Sequence, residues 1–153
     1  SGTGHHTSLY STENQKNSAD YTIKYLDSIG VPHEKMVLGA AFYARVWEQV
    51  EDSLNGLYQK GKFKESILYK DIESYKNNYP GFKYFWDSVA QAPYIYNARE
   101  KLFATYDDST SVSEKTRYAL ENKMAGIMFW QLSGDKPVGL LDVIDNELKD
   151  HNK

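Results

Sequence analysis

The 153-residue chain has no cysteine, which excludes disulfide staples and thiolate metal sites but leaves its compartment open. Neither sign of charge dominates. Eighteen Lys and Arg against 21 Asp and Glu leave a net charge of −3, too little positive charge for a nucleic-acid binder. No run approaches the roughly 20 apolar residues that span a bilayer. Ser1 opens no signal-like segment, so the expectation is a soluble protein that is either mature or a piece of something longer. Internal repeats and low-complexity tracts are absent too. The length suits one domain with a core large enough to hold itself together.

Aromatic residues, by contrast, are plentiful. Thirteen Tyr, six Phe and three Trp make up 14% of the chain. Tyr joins an apolar face to a hydrogen-bonding tip, which suits a wet, amphipathic ligand such as a sugar. A Tyr-rich core with hydroxyls at its rim would have the same composition, so composition alone leaves both readings open.

Along the chain, residues 1–17 are polar and turn-rich and read as a loop. "NSADYTIKYLDSIGVP" reads as a helix capped by Asn17 or Ser18, with Ile23, Leu26 and Ile29 on one face and Gly30 and Pro32 ending it. "MVLGAAFYARVW" is apolar almost without interruption, the mark of a strand covered on both sides. Residues 48–107 mix short aromatic runs with turns and one helix-like stretch, "ESILYKDIESYKNN", and read as a small α+β insertion with an antiparallel sheet. Helical grammar returns at "DDSTSVSEKTRYALENKM", capped by Asp108 or Ser109. A buried strand, "GIMFW", follows, and then a helix near 138–148 with Leu141, Ile144 and Leu148 on one stripe. The division is a barrel segment at 1–47, an insertion at 48–107 and a second barrel segment at 108–153. Without the insertion, α-β-α-β-α remains. This is parallel α/β material with too few strands for a closed sheet of its own.

Alternation along the two buried strands selects candidate site residues. Val37, Gly39, Ala41, Tyr43 and Arg45 share one face of the first strand, and Met128 and Trp130 share one face of the second. In a barrel, function sits at the C-terminal ends of strands. Small residues low in the strand would then leave room for Tyr43, Arg45 and Trp130 at the mouth. The plainer alternatives are a core-filling indole for Trp130 and a structural ion pair for Arg45.

"VLGAAFYARVW", "AQAPYIYN" and "FATYDDSTSVSEKTRYALENKMAGIMFWQLSGD", in that order, resemble the C-terminal part of the family-18 glycoside hydrolases, the chitinase family. That family's seventh barrel strand is similar to G-x-P-F-Y-G-R and its eighth to G-G-x-M-F-W-E-L-x-x-D, with an α+β insertion between them. Two departures stand out. Ala44 occupies a position usually Gly, and Gln131, expected to point away from the cleft, occupies one often Glu or Ala. "TGHHTSLYST" resembles the loop after the sixth strand. The family carries its general acid in D-x-x-D-x-D-x-E on the fourth strand and a Tyr-Asp pair on the sixth. Neither has a counterpart here, and the nearest acidic cluster, "YKDIES", belongs to the insertion.

The resemblance implies the C-terminal portion of a (β/α)8 TIM barrel: its last two strands, their helices and an α+β insertion. It implies a parent that hydrolyses β-1,4-linked N-acetylglucosamine polymers with retention, the substrate's own acetamide acting as nucleophile; the compartment stays open, with export of the parent as the expectation. No metal or cofactor is called for. The partners implied are chitin or N-acetylglucosamine oligosaccharides, together with a missing N-terminal barrel half or, failing that, a second copy of the chain. Trp130 would stack under the sugar, Tyr43 and Arg45 would bond to it or support the wall, and Asp71 of "LYKDI" would face it from the insertion, with a solvated helix acid as the plainer alternative for Asp71. His5 and His6 could touch the sugar from their loop, though an exposed pair of loop histidines is more often inert. Two alternatives stand beside this: a chitin-binding, lectin-like relative without catalysis, and an independent α+β interaction domain whose Tyr43, Arg45 and Trp130 lie apart.

Overall fold

The computed structural model describes residues 2–151. After the amino-terminal loop, α1 (Ala19–Ser28) starts at Ser18, whose side chain accepts the N–H of Tyr21. It stops where Gly30 takes φ +85°, a left-handed conformation that costs glycine little. Ile23 faces the core, but Ile29, expected on the same face, is exposed because the helix has already ended there.

The long apolar segment that follows is two strands rather than one. β1 (Val37–Ala41) and β2 (Tyr43–Glu48) belong to different sheets. Phe42 is the joint between them: its N–H donates to the Trp130 carbonyl at 2.8 Å, and its own carbonyl accepts from Tyr69 at 3.0 Å. The Phe42 ring is fully buried and stacks on Phe129 at 4.6 Å. Gly134 closes over this joint, since a Cβ there would stand 2.4 Å from the Phe42 carbonyl oxygen.

The insertion follows as β3 (Lys62–Leu68), α2 (Ile72–Asn78), β4 (Lys83–Asp87), β5 (Ala92–Asn97) and β6 (Leu102–Thr105). With β2 they form one antiparallel sheet in the order β3-β2-β6-β5-β4. The stretch expected as one helix is therefore strand up to Leu68 and helix only from Ile72. Alternation decides this: Ala44, Val46, Ile95 and Ala104 turn one sheet face toward Ile72 and Tyr75 of α2. The methyl of Ala44 is part of that core and fully buried.

α3 (Ser109–Glu121) begins with a reciprocal cap in which Asp108 accepts the Ser111 N–H and Ser111 accepts the Asp108 N–H. β7 (Gly126–Trp130) then pairs in parallel with β1, Gly39 opposite Met128 and Ala41 opposite Trp130. α4 (Leu140–His151) is started by Asp135, whose carboxylate accepts the N–H groups of Leu140 and Leu141. That start buries Leu140 and Ile144, while Leu141 and Leu148 of the expected stripe stay half exposed.

The two-stranded parallel sheet is covered on one face only. Leu38, Ala40, Ile127 and Phe129 pack against α1, α3 and α4. On the other face Val37, Met128 and Trp130 are exposed.

Candidate functional site

Trp130 ends β7 with its indole 66% exposed, although a side chain of this size is normally well covered. The Trp130–Gln131 peptide bond is cis. Beside the indole, Tyr43, Ser66, Ile67, Leu68 and Gln131 complete the lining of a concavity of about 300 Å3. Tyr43 is the first residue of β2, just past the Phe42 joint, and pairs with Leu68 at the end of β3. The site thus forms where the barrel-type sheet hands over to the insertion sheet. Its lining is aromatic, aliphatic, hydroxyl and amide, a mixture suited to a neutral polar ring, and among the described residues it holds no carboxylate.

The predicted residues separate into three groups. Tyr43 and Trp130 share the concavity. Arg45 stands two residues further along β2, exposed and outside the lining, its guanidinium carbon 5.3 Å from the Trp47 ring and 5.1 Å from the Phe63 ring. Asp71 ends a short 3-10 turn at the start of α2, is exposed, makes no side-chain cap bond and does not line the concavity. Gln131, expected to point away, lines it. Ser66 and Leu68 line it as well, and the helical reading of their segment had hidden them.

The two histidines are neither exposed nor alike. His5 is buried, its Nε2 3.0 Å from an Asp87 oxygen, and burial holds its pKa below the usual value despite that partner. His6 packs its ring against Tyr43 at 5.2 Å, and among the described residues neither of its buried ring nitrogens has a hydrogen-bond partner. Burial lowers its pKa to about 4, with the nearby Asp107 opposing and Lys115, Arg45 and His5 assisting. The amino-terminal loop therefore carries a neutral imidazole that backs the Tyr43 ring.

Beneath it lies a buried ion pair. Lys115 donates to both oxygens of Asp107, at 2.8 and 2.7 Å, and also to Thr7. Asp107 accepts in addition from Ala41 N–H, Thr7 and Ser111. One carboxylate thus ties the end of β1, the loop and α3 together immediately below the site. A second cavity, of about 570 Å3, opens between α1, β1 and this loop, lined by Ile23, Leu26, Leu38 and Gly39 among others.

Comparison with known proteins adds to this geometry. The sequence model for "Glycosyl hydrolases family 18" matches residues 1–135. Chitinase A1 of Niallia circulans is 40% identical over 120 residues, which is 73% of this chain and 17% of that protein. A family 18 N-acetylglucosaminidase from Paenibacillus barengoltzii superposes with a TM-score of 0.85 at 34% identity, over 95% of this chain and 43% of that one. A class V chitinase from Nicotiana tobaccum, solved in complex with NAG4, superposes with a TM-score of 0.85 at 25% identity, over 96% of this chain and 43% of that one. The chain therefore spans less than half the length of these relatives. Among them β1 and β7 are strands of a (β/α)8 barrel in its C-terminal portion, and the five-stranded sheet with α2 is an α+β insertion.

Proposed function

The chain belongs to glycosyl hydrolase family 18, and on that premise we propose that it forms the sugar-holding part of a chitinase-like glycosidase acting on β-1,4-linked N-acetylglucosamine. The observation that carries the reading is the exposed indole of Trp130 facing a shared concavity with Tyr43. A flat aromatic face meets the axial C–H groups of a pyranose, and the lining also supplies the Tyr43 hydroxyl, the Ser66 hydroxyl and the Gln131 amide as hydrogen-bonding groups for its rim. The relative from Nicotiana tobaccum, solved with NAG4, supports the ligand class.

In the intact enzyme the reaction is substrate-assisted. An acid protonates the leaving oxygen, the acetamide of the bound sugar attacks the anomeric carbon, and configuration is retained. This chain's residues hold the ring in place for that attack. Among the described residues the concavity holds no carboxylate, which supports binding without cleavage by this chain alone, as in the lectin-like alternative. The bare inner face of β1 and β7, and the cavity along β1, are where further barrel strands would pack.

Isothermal titration with the N-acetylglucosamine tetrasaccharide tests the reading. The chain binds it and Trp130→Ala abolishes the heat; no binding, or binding unchanged in the variant, refutes it. A fluorogenic chitobioside should release no product with this chain, and robust release free of contamination would overturn the division of labour.

A further inference from the structure

Arg45 is an exposed cation with an unusual set of contacts. Among the described residues it has no hydrogen bond and no ion-pair partner, and its close neighbours are two aromatic rings. Trp47 lies two residues along β2 on the same sheet face and is almost fully buried, braced edge-on by Phe103 at 6.2 Å. Phe63 sits opposite Trp47 on β3, 42% exposed, the two rings 5.7 Å apart and nearly perpendicular. The register slips between Val46 and Trp47, which sets Phe63 rather than a neighbour across from the indole. Two rings at right angles make a corner, and the guanidinium rests within about 5 Å of both centroids.

We propose that Phe63, with Trp47 behind it, is a positioning residue that fixes the Arg45 guanidinium, further along β2 than Tyr43 and outside the Tyr43–Trp130 concavity, for an oxygen of a ligand that extends past that concavity. This extends the reading above and rests on it. A free arginine side chain loses considerable rotamer freedom when it captures a ligand, and a planar cation already held against ring faces has lost that freedom beforehand. The rings take no N–H donors of the guanidinium, so its edge stays available to a carbonyl or hydroxyl oxygen. An ion pair with a neighbouring carboxylate would have fixed the side chain equally well but would have consumed those donors. The exposure of Phe63 has the same explanation: its ring covers the cation rather than the core.

The test combines tetrasaccharide titration with side-chain NMR of Arg45 in the wild-type chain, Phe63→Leu, Phe63→Trp, Arg45→Gln and the double variant Phe63→Leu/Arg45→Gln. In the free protein the Arg45 side-chain protons carry ring-current shifts that Phe63→Leu removes and Phe63→Trp keeps. Phe63→Leu weakens tetrasaccharide binding about two- to five-fold, the range of a surface cation–π contact. Phe63→Trp restores it, and in the Arg45→Gln background Phe63→Leu has no further effect. Wild-type affinity in Phe63→Leu, or single effects that multiply in the double variant, would overturn the positioning role. Absence of binding by the wild-type chain would overturn the cleft reading and the positioning role together, and the ring-current shifts would then report a clamp with no ligand to serve.

Discussion

His6 gives the most quantitative test of how the loop is seated. Its ring nitrogens are buried without partners among the described residues, and its pKa is lowered from 6.5 to about 4. The unfolded chain therefore takes up a proton at this residue well before the folded chain does, and stability falls as pH drops from the unfolded value toward the folded one. With those two values, acidification from about pH 7.5 to about pH 5 removes about 2 kcal/mol at this one residue, approaching 3 at pH 4. His5 shifts in the same direction, so the wild-type slope alone does not isolate His6. The difference between wild type and His6→Gln does. Urea unfolding followed by tryptophan fluorescence at the two pH values should show the wild type losing about 2 kcal/mol more than the variant. Equal losses in both, or an NMR titration placing His6 near 6.5, would refute the burial argument.

Other expectations follow from the same contacts. Lys115→Met leaves the buried Asp107 without its cation and should lower stability by about 3–5 kcal/mol in chemical denaturation. The double change Lys115→Met with Asp107→Asn should recover part of that loss, since the uncompensated charge is gone. Among the described residues one edge of β1 is unpaired, and with the bare Val37 and Met128 it predicts that this chain alone self-associates at tens of micromolar. Light scattering checks this, and a monomer across that range would count against it.

Much of this architecture was legible in the sequence, and the misreadings have physical causes. The caps of α1 and α3 were visible because Ser18 and Asp108 sit before periodic apolar runs. The burial contrast along β7, with Met128 and Trp130 exposed and Ile127 and Phe129 covered, follows the period-two alternation that selected Trp130. The break at Phe42 was hidden because both strands it joins are apolar; nothing in "GAAFYAR" marks a change of sheet, and the joint is made by Trp130 and Tyr69, residues distant in sequence. "ESILYK" read as helix because it runs directly into α2, while its strand character comes from β2 beside it. The stripe of α4 was displaced because the helix start is set by Asp135, five residues ahead of Leu140. The burial of the histidines is not legible in the sequence, because a polar loop gives no sign that it packs onto a sheet. Gln131 and Ser66 emerged only from the handover between the two sheets.

The central claim is that Trp130 and Tyr43 together hold a pyranose ring, and the chain's three indoles allow a direct test. Trp47 is buried behind Arg45 and Trp86 lies on the far edge strand β4, whereas Trp130 opens onto the concavity. In a titration with the N-acetylglucosamine tetrasaccharide followed by two-dimensional NMR, the indole N–H signal of Trp130 should move to saturation, those of Trp47 and Trp86 should stay in place, and Tyr43→Ala should weaken the response. A Trp130 signal that stays fixed at saturating ligand, or a response confined to Trp86, would contradict the account.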